Sequence, residues 1–377
     1  MKKQTILLLV AIAWSAGIVA DNSPYINRVY EFRPAPGQFT NLLPEYEAND
    51  TEEDMRSKAE EAIANDNQGM ISLGGWGGYV VFGFDHMVVN VAGEYDLKIL
   101  GNAFFANANP NTSAPIGGSA EPGIVMVSYD TNGNGIPDDE WYELAGSEYN
   151  DPRTVHNYTQ TYYRTPEDHV ATPDPKKKVL IDTTYVEWRN SLNEVGYVVK
   201  NSYHRQAYYP EWIEEETMTF TGTRCRPNGI DESGNGSYYV QYMFDWGYVD
   251  NMPNSTDKVP HPSEFNLEWA VDADGQPVTL KGIHFIKVYT AVNQQNGHLG
   301  ECSTEVMGAE DLHPDVIATS LEEVSSADNN QAIQGVYDIT GRYIAPAQST
   351  KSLPNRVYIM RNGNGKTKKT IVSRYGK

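Results

Sequence analysis

The stretch Gly74-Gly75-Trp76-Gly77-Gly78-Tyr79-Val80-Val81-Phe82-Gly83-Phe84 decides the fold class. β-Branched and aromatic residues follow a glycine-rich turn signal, which is the composition of a sheet strand. The glycines do not make a phosphate cradle, because the Gly-Lys-Ser/Thr ending is missing and no helical periodicity follows. Runs of similar texture recur at 87–91, 97–100, 124–129, 238–244, 265–270 and 283–288. Short strands separated by Gly and Pro turns, without a periodic repeat, predict a mainly β chain built as a two-sheet, jelly-roll-like β-sandwich. One helix is expected over residues 51–65. Asp50 or Thr51 caps it, Glu52, Glu53 and Asp54 suit its positive end, and Met55, Ala59, Ala62 and Ile63 form its apolar stripe.

Outward from this core, both ends of the 377-residue chain differ in character. Lys2 and Lys3 precede an apolar run over 6–14 and small residues up to Ala20, the pattern of a secretory signal peptide. That run is shorter than the roughly 20 residues a transmembrane helix needs, so no membrane span is expected once it is removed. An exported protein follows, placed at the cell surface or outside the cell ahead of the periplasm. The only cysteines are Cys225 and Cys302, so no lipid-anchor cysteine follows the apolar run. Export permits a disulfide between them, with two buried free thiols as the alternative.

The main domain is expected over residues 21–321, with its polar, Tyr-rich middle, about 149–262, read as long insertions. A polar linker at 322–332 leads to a tail over 333–377 that carries nine Lys/Arg against one acid, Asp338. That net charge of +8 sits on a chain of overall charge −21, and the asymmetry predicts a separate small β module. So acidic a chain is a poor partner for nucleic acid, for an anionic membrane surface and for acidic solutes.

The sharpest local motif is Asp130-Thr-Asn132-Gly-Asn134-Gly-Ile136-Pro-Asp138-Asp-Glu140-Trp141. Alternating oxygen-bearing side chains with glycines let a tight loop wrap a hard cation, and calcium is the natural occupant. Asp130, Asn132, Asn134, the Ile136 carbonyl and Asp138 take the positions of an EF-hand loop, while Trp141 occupies the last one, so Glu140 or Glu143 must substitute. The loop resembles those of dockerin and thrombospondin type 3 repeats, which implies a structural ion. A plain Asn-Gly hairpin turn is the metal-free alternative. For ligand contact the candidates are Trp76 and the aromatic residues of the middle region, Tyr162, Tyr163, Trp188, Tyr208, Tyr209 and Trp212, whose faces could stack on a sugar or a flat macrocycle. A buried core position is the competing reading for Trp76, and sheet-face packing for the tyrosines.

No catalytic set emerges. Asp85 with His86, and Glu301, Glu305, Asp311 and His313, are the densest groups. Neighbouring Asp85 and His86 would point to opposite sheet faces, and Glu301 and Glu305 read either as a glycosidase-like acid and base or as solvated loop carboxylates.

Two resemblances rest on quoted residues. The tail, Gly335-Val-Tyr-Asp-Ile-Thr-Gly341-Arg342 with Leu353-Pro-Asn-Arg356-Val-Tyr-Ile359, resembles the C-terminal sorting domain of Bacteroidetes exported proteins, with Arg356 where a Gly is usual. Residues 65–312, through Ser72-Leu-Gly-Gly-Trp76-Gly-Gly-Tyr-Val, Gly101-Asn-Ala-Phe104, Glu121-Pro-Gly-Ile-Val, Asp139-Glu-Trp-Tyr-Glu-Leu-Ala-Gly and Gly300-Glu-Cys-Ser-Thr-Glu305, resemble a family of Bacteroidetes cell-surface proteins, some of them associated with cobalamin-uptake loci. His298 stands where that pattern has Trp. The resemblance implies a non-enzymatic protein that captures a ligand such as a corrinoid as a partner of an outer-membrane transporter. A glycan-binding protein or carbohydrate hydrolase or lyase, and a structural surface or adhesion module, are the alternatives.

Overall fold

The computed structural model describes residues 22–316, apart from 67–68, 107–116 and 257–258, and the backbone of four strands between 333 and 372. The signal-peptide and linker expectations lie outside the described residues. Contacts divide the chain into Met1–Ile317 and Ala318–Lys377.

The first unit is mainly β and its named strands pair antiparallel, as expected for a sandwich. Its centre is a six-stranded sheet in the order Arg28–Arg33, Tyr79–Val89, Gly282–Thr290, Gly123–Ser128, Trp141–Leu144, Ala270–Val271. The glycine-rich stretch forms the turn into its second strand, and Gly77 must be glycine there, since it holds φ +86 and an added Cβ would lie 2.5 Å from Cβ of Phe220. Both faces of the sheet are buried. Val80, Phe82, Val125, Val127, Ile286 and Val288 belong to one core cluster with Met55, Ala59 and Ile63 of the helix Glu52–Ile63. Thr51 caps that helix in a capping box with Asp54, so the expected amphipathic helix forms with its stripe turned inward.

The second large sheet is four-stranded: Val195–Asn201, Leu180–Asn190, Val155–Tyr163, Thr217–Arg224. It forms from the middle region expected as insertions. Its strands looked polar because one face carries hydroxyl pairs, Thr159 with Thr221 at 3.0 Å and Thr161 with Thr219 at 2.8 Å, while Tyr158, Gln160 and Tyr162 on the other face are buried. The two sheets meet through Phe220 against Tyr79, with centroids 6.2 Å apart and rings at 86°, and through the Thr223 amide donating to the Tyr289 hydroxyl. Each fully buried ring or branched side chain contributes about 1.5–3 kcal/mol, which makes this packing the main stabilising term.

Cys225 and Cys302 are free and buried, so the thiol alternative describes the structure. The second unit holds a four-stranded antiparallel sheet in the order Tyr343–Ala345, Ile333–Tyr337, Arg356–Asn362, Thr367–Val372.

Candidate functional site

Several connections of the first unit converge on one open cleft of about 690 Å³. Phe39 comes from the loop after Arg28–Arg33, and Phe104 from the segment after Leu97–Leu100. Tyr203 and His204 follow Val195–Asn201. Tyr238 and Tyr239 end the hairpin turn that starts from Gly229–Asp231, and His298 and Leu299 belong to the 3-10 turn Gly297–Leu299. These rings do not finish a core: Phe104 is 62% exposed, Tyr203 69% and Tyr238 41%. Local chemistry holds them there. An added Cβ on Gly118 would meet the Phe104 carbonyl, so glycine permits the close backbone approach that sets Phe104 on the rim. Asn201 Oδ1 accepts the Tyr203 and His204 amides at 2.9 Å each, fixing the turn that carries both rings. Gln38 donates from Nε2 to the Leu299 carbonyl and accepts at Oε1 from Asn201, stitching two walls together.

Glu121 lies in the lining, half-buried at the start of Gly123–Ser128, and it is the only carboxylate there among the described residues. Its Oε1 accepts from the Ser303 amide at 3.0 Å and from Gln241 Nε2 at 3.1 Å. Asp250 and Glu305, both buried, sit next to it, and one oxygen of each of the three carboxyls lies within 4.8 Å of the others. Asp250 accepts the backbone amides of Asn102, Ala103 and Glu305 at 2.7, 2.8 and 3.0 Å. Glu305 accepts from the Ser303 hydroxyl at 3.1 Å, and that hydroxyl is also paired with Ser72 at 2.7 Å.

Burial drives all three acids well above the usual carboxylate range, reinforced at Glu121 by Glu305, at Asp250 by Glu121 and at Glu305 by Asp250. With three amide donors Asp250 is the best placed to carry charge, and protons or a hard cation would relieve the rest. Nearby Glu301 is buried, accepts the Gln38 amide at 2.6 Å and leaves Oε2 without a partner; burial pushes it to about 7. Glu301 and Glu305 are therefore buried rather than solvated loop carboxylates.

The aromatic residues singled out from the sequence are elsewhere. Trp76, Tyr162, Tyr208, Tyr209 and Trp212 are all at most 5% exposed and finish the core, with the Tyr162 hydroxyl donating to the Trp76 carbonyl. Trp188 and Trp76 line a recess of about 60 Å³ beside Glu301. Tyr163 lines a separate open cleft of about 610 Å³ with Arg164 and Arg189, the Arg189 guanidinium standing 5.1 Å from its ring centroid.

In the 130–141 loop, Asn132 and Asn134 turn their amides to the Asp138 carboxylate, and Asp130 accepts the amides of Gly133, Asn134 and Gly135. Four expected ligands thus gather. The Ile136 carbonyl accepts the Asp138 amide and Glu140 accepts from the Tyr142 hydroxyl.

Asp85 and His86 do meet, at 2.6 Å, and His86 Nε2 lies 2.7 Å from Asp311. Strand alternation fails there because the register jumps from Gly83↔Phe285 to Val88↔Ile283, leaving both residues in a bulge. The group ties the bulge to Gly308–Asp311 and borders none of the clefts described above.

Sequence reasoning missed Phe39, Phe104, Tyr203, Tyr238, Tyr239 and Glu121. The available signals were Phe104-Phe105 and Tyr238-Tyr239, aromatic pairs in otherwise polar, Gly- and Asn-rich surroundings. No known family model matches the chain, and no curated protein matches it.

Proposed function

We propose that this is an exported, non-enzymatic capture protein that holds a flat-faced nutrient, a corrinoid or a glycan, in the aromatic cleft and passes it to an outer-membrane transporter. The observation that carries this reading is the rim itself: exposed rings from separate loops surround a concave floor of amide and carboxyl groups, the composition of a small-molecule site. Four of the five stretches that carry the family resemblance also gather here, through Ser72, Asn102 to Phe104, Glu121 and Ser303 to Glu305. His298, which departs from that pattern, lines the same cleft.

Capture is favoured over hydrolysis because a glycosidase needs two carboxyls facing one bond across a gap, and among the carboxyls of the described residues only Glu121 reaches the cleft while Asp250 and Glu305 are enclosed. Calcium in the 130–141 loop is proposed as a clamp on the strands it joins, remote from ligand.

The test is a thermal-shift and calorimetry screen of the purified chain with cobalamin, cobinamide and a glycan panel. Phe104→Ala and Tyr203→Ala should each weaken the bound ligand about tenfold, about 1.4 kcal/mol, and leave stability within about 0.5 kcal/mol. Binding that survives both substitutions unchanged would sink the assignment of the cleft. Release of glycan product would move the reading to a hydrolase.

A further inference from the structure

The cleft has an electrostatic character that its aromatic rim alone does not explain. Among the described residues its lining contains no Lys or Arg; its two histidines are His298 and His204, and burial lowers the pKa of His204, which disfavours a charge there. At the floor, the two hydrogen bonds described for Glu121 fall on Oε1, and Oε2 takes neither. Behind it stand Asp250 and Glu305 with oxygens within 4.8 Å, and Glu301 lies near enough for its charge to act on Glu121 and Glu305. Among the described residues no basic side chain forms an ion pair with any of these four acids. The complement of such a floor is a cation delivered from outside, and the π-faces above it favour the same charge.

Shape narrows the class. Rings such as Phe104 and Tyr203 take the C–H face of a pyranose, and Ser119, Ser237 and Gln241 offer hydrogen bonds suited to its hydroxyls. Burial and its acid neighbours raise Glu121, so an ammonium that arrives beside it takes the place of a proton lost to solvent, and the resulting charge-assisted hydrogen bond in a partly desolvated site is stronger than one between neutral groups. Resting on the capture reading above, we propose that the ligand of this cleft is an amino sugar whose free, protonated amine is held by Glu121 while its ring faces stack on the aromatic rim.

A matched pair of β-1,4-linked tetrasaccharides tests this on the full chain by titration calorimetry at pH 6.5: the fully deacetylated glucosamine tetramer and cellotetraose, which differ only in an amine replacing each 2-hydroxyl. The glucosamine tetramer should bind roughly tenfold tighter. Glu121→Gln should erase that preference by lowering the affinity for the glucosamine tetramer, and Phe104→Ala should weaken both sugars. Equal affinities, tighter cellotetraose, silence of both sugars, or a preference that survives Glu121→Gln would each overturn the proposal. The capture reading fails separately, when cobalamin, cobinamide and the glycan panel are also silent or when their binding ignores Phe104→Ala. An unchanged melting curve for Glu121→Gln shows that loss of preference is not loss of fold.

Discussion

Glu301 shows how one buried carboxyl can govern the pH response of the protein. Its Oε1 accepts a backbone amide while Oε2 has no partner, and burial raises it from 4.5 to about 7. The folded state therefore binds a proton that the unfolded chain releases near 4.5. The stability this contributes is fully present below about pH 4.5 and is lost as pH rises through about 7. Glu143, also raised to about 7 by burial, and Asp96, raised to about 6, act in the same direction. Glu301→Gln keeps the acceptor and removes the titration. The variant should exceed the native chain in stability at pH 8 by up to about 3 kcal/mol, and the difference should shrink towards pH 4.5 in denaturant melts. Parallel pH profiles for the two proteins would show that Glu301 does not carry this proton. Nothing in the sequence marked Glu301 as buried, since an acid followed by Cys, Ser and Thr reads equally well as a loop.

Elements were read with uneven success, for physical reasons. The helix and the strands Tyr79–Val89, Leu97–Leu100, Gly123–Ser128 and Gly282–Thr290 were legible, because their apolar runs are long enough to declare a period. The four-stranded sheet was not, because its Thr ladders and inward tyrosines imitate polar loop composition. The 130–141 connection was legible as a metal-loop motif, and its own side chains close it into a ring of hydrogen bonds. Calcium replacing the Asn132 and Asn134 contacts to Asp138 should raise the melting temperature, and a strong chelator should lower it, since an ion bound only by the folded state stabilises by mass action. Asp130→Ala should abolish that difference. An identical curve with chelator, in protein shown to contain the ion beforehand, would leave the loop a simple turn.

At the scale of the whole molecule, the fold class followed from texture but the cleft did not. Its lining comes from connections more than 250 residues apart, from Phe39 to His298, and only the packed scaffold brings them together. The same scaffold predicts a gradient of local stability. Gly282–Thr290 is paired on both sides and buried over most of its length, so its amides should be among the slowest to exchange, while those of the exposed turn at 232–237 exchange early. Hydrogen exchange with mass spectrometry reads both segments in one experiment, and comparable rates would contradict a rigid centre with independent loops. That separation between a double-faced sheet and the connections it carries has a consequence for lineage. A ring on the rim can be exchanged without disturbing a strand, so descendants of this chain could change what they hold one loop at a time while inheriting the same frame.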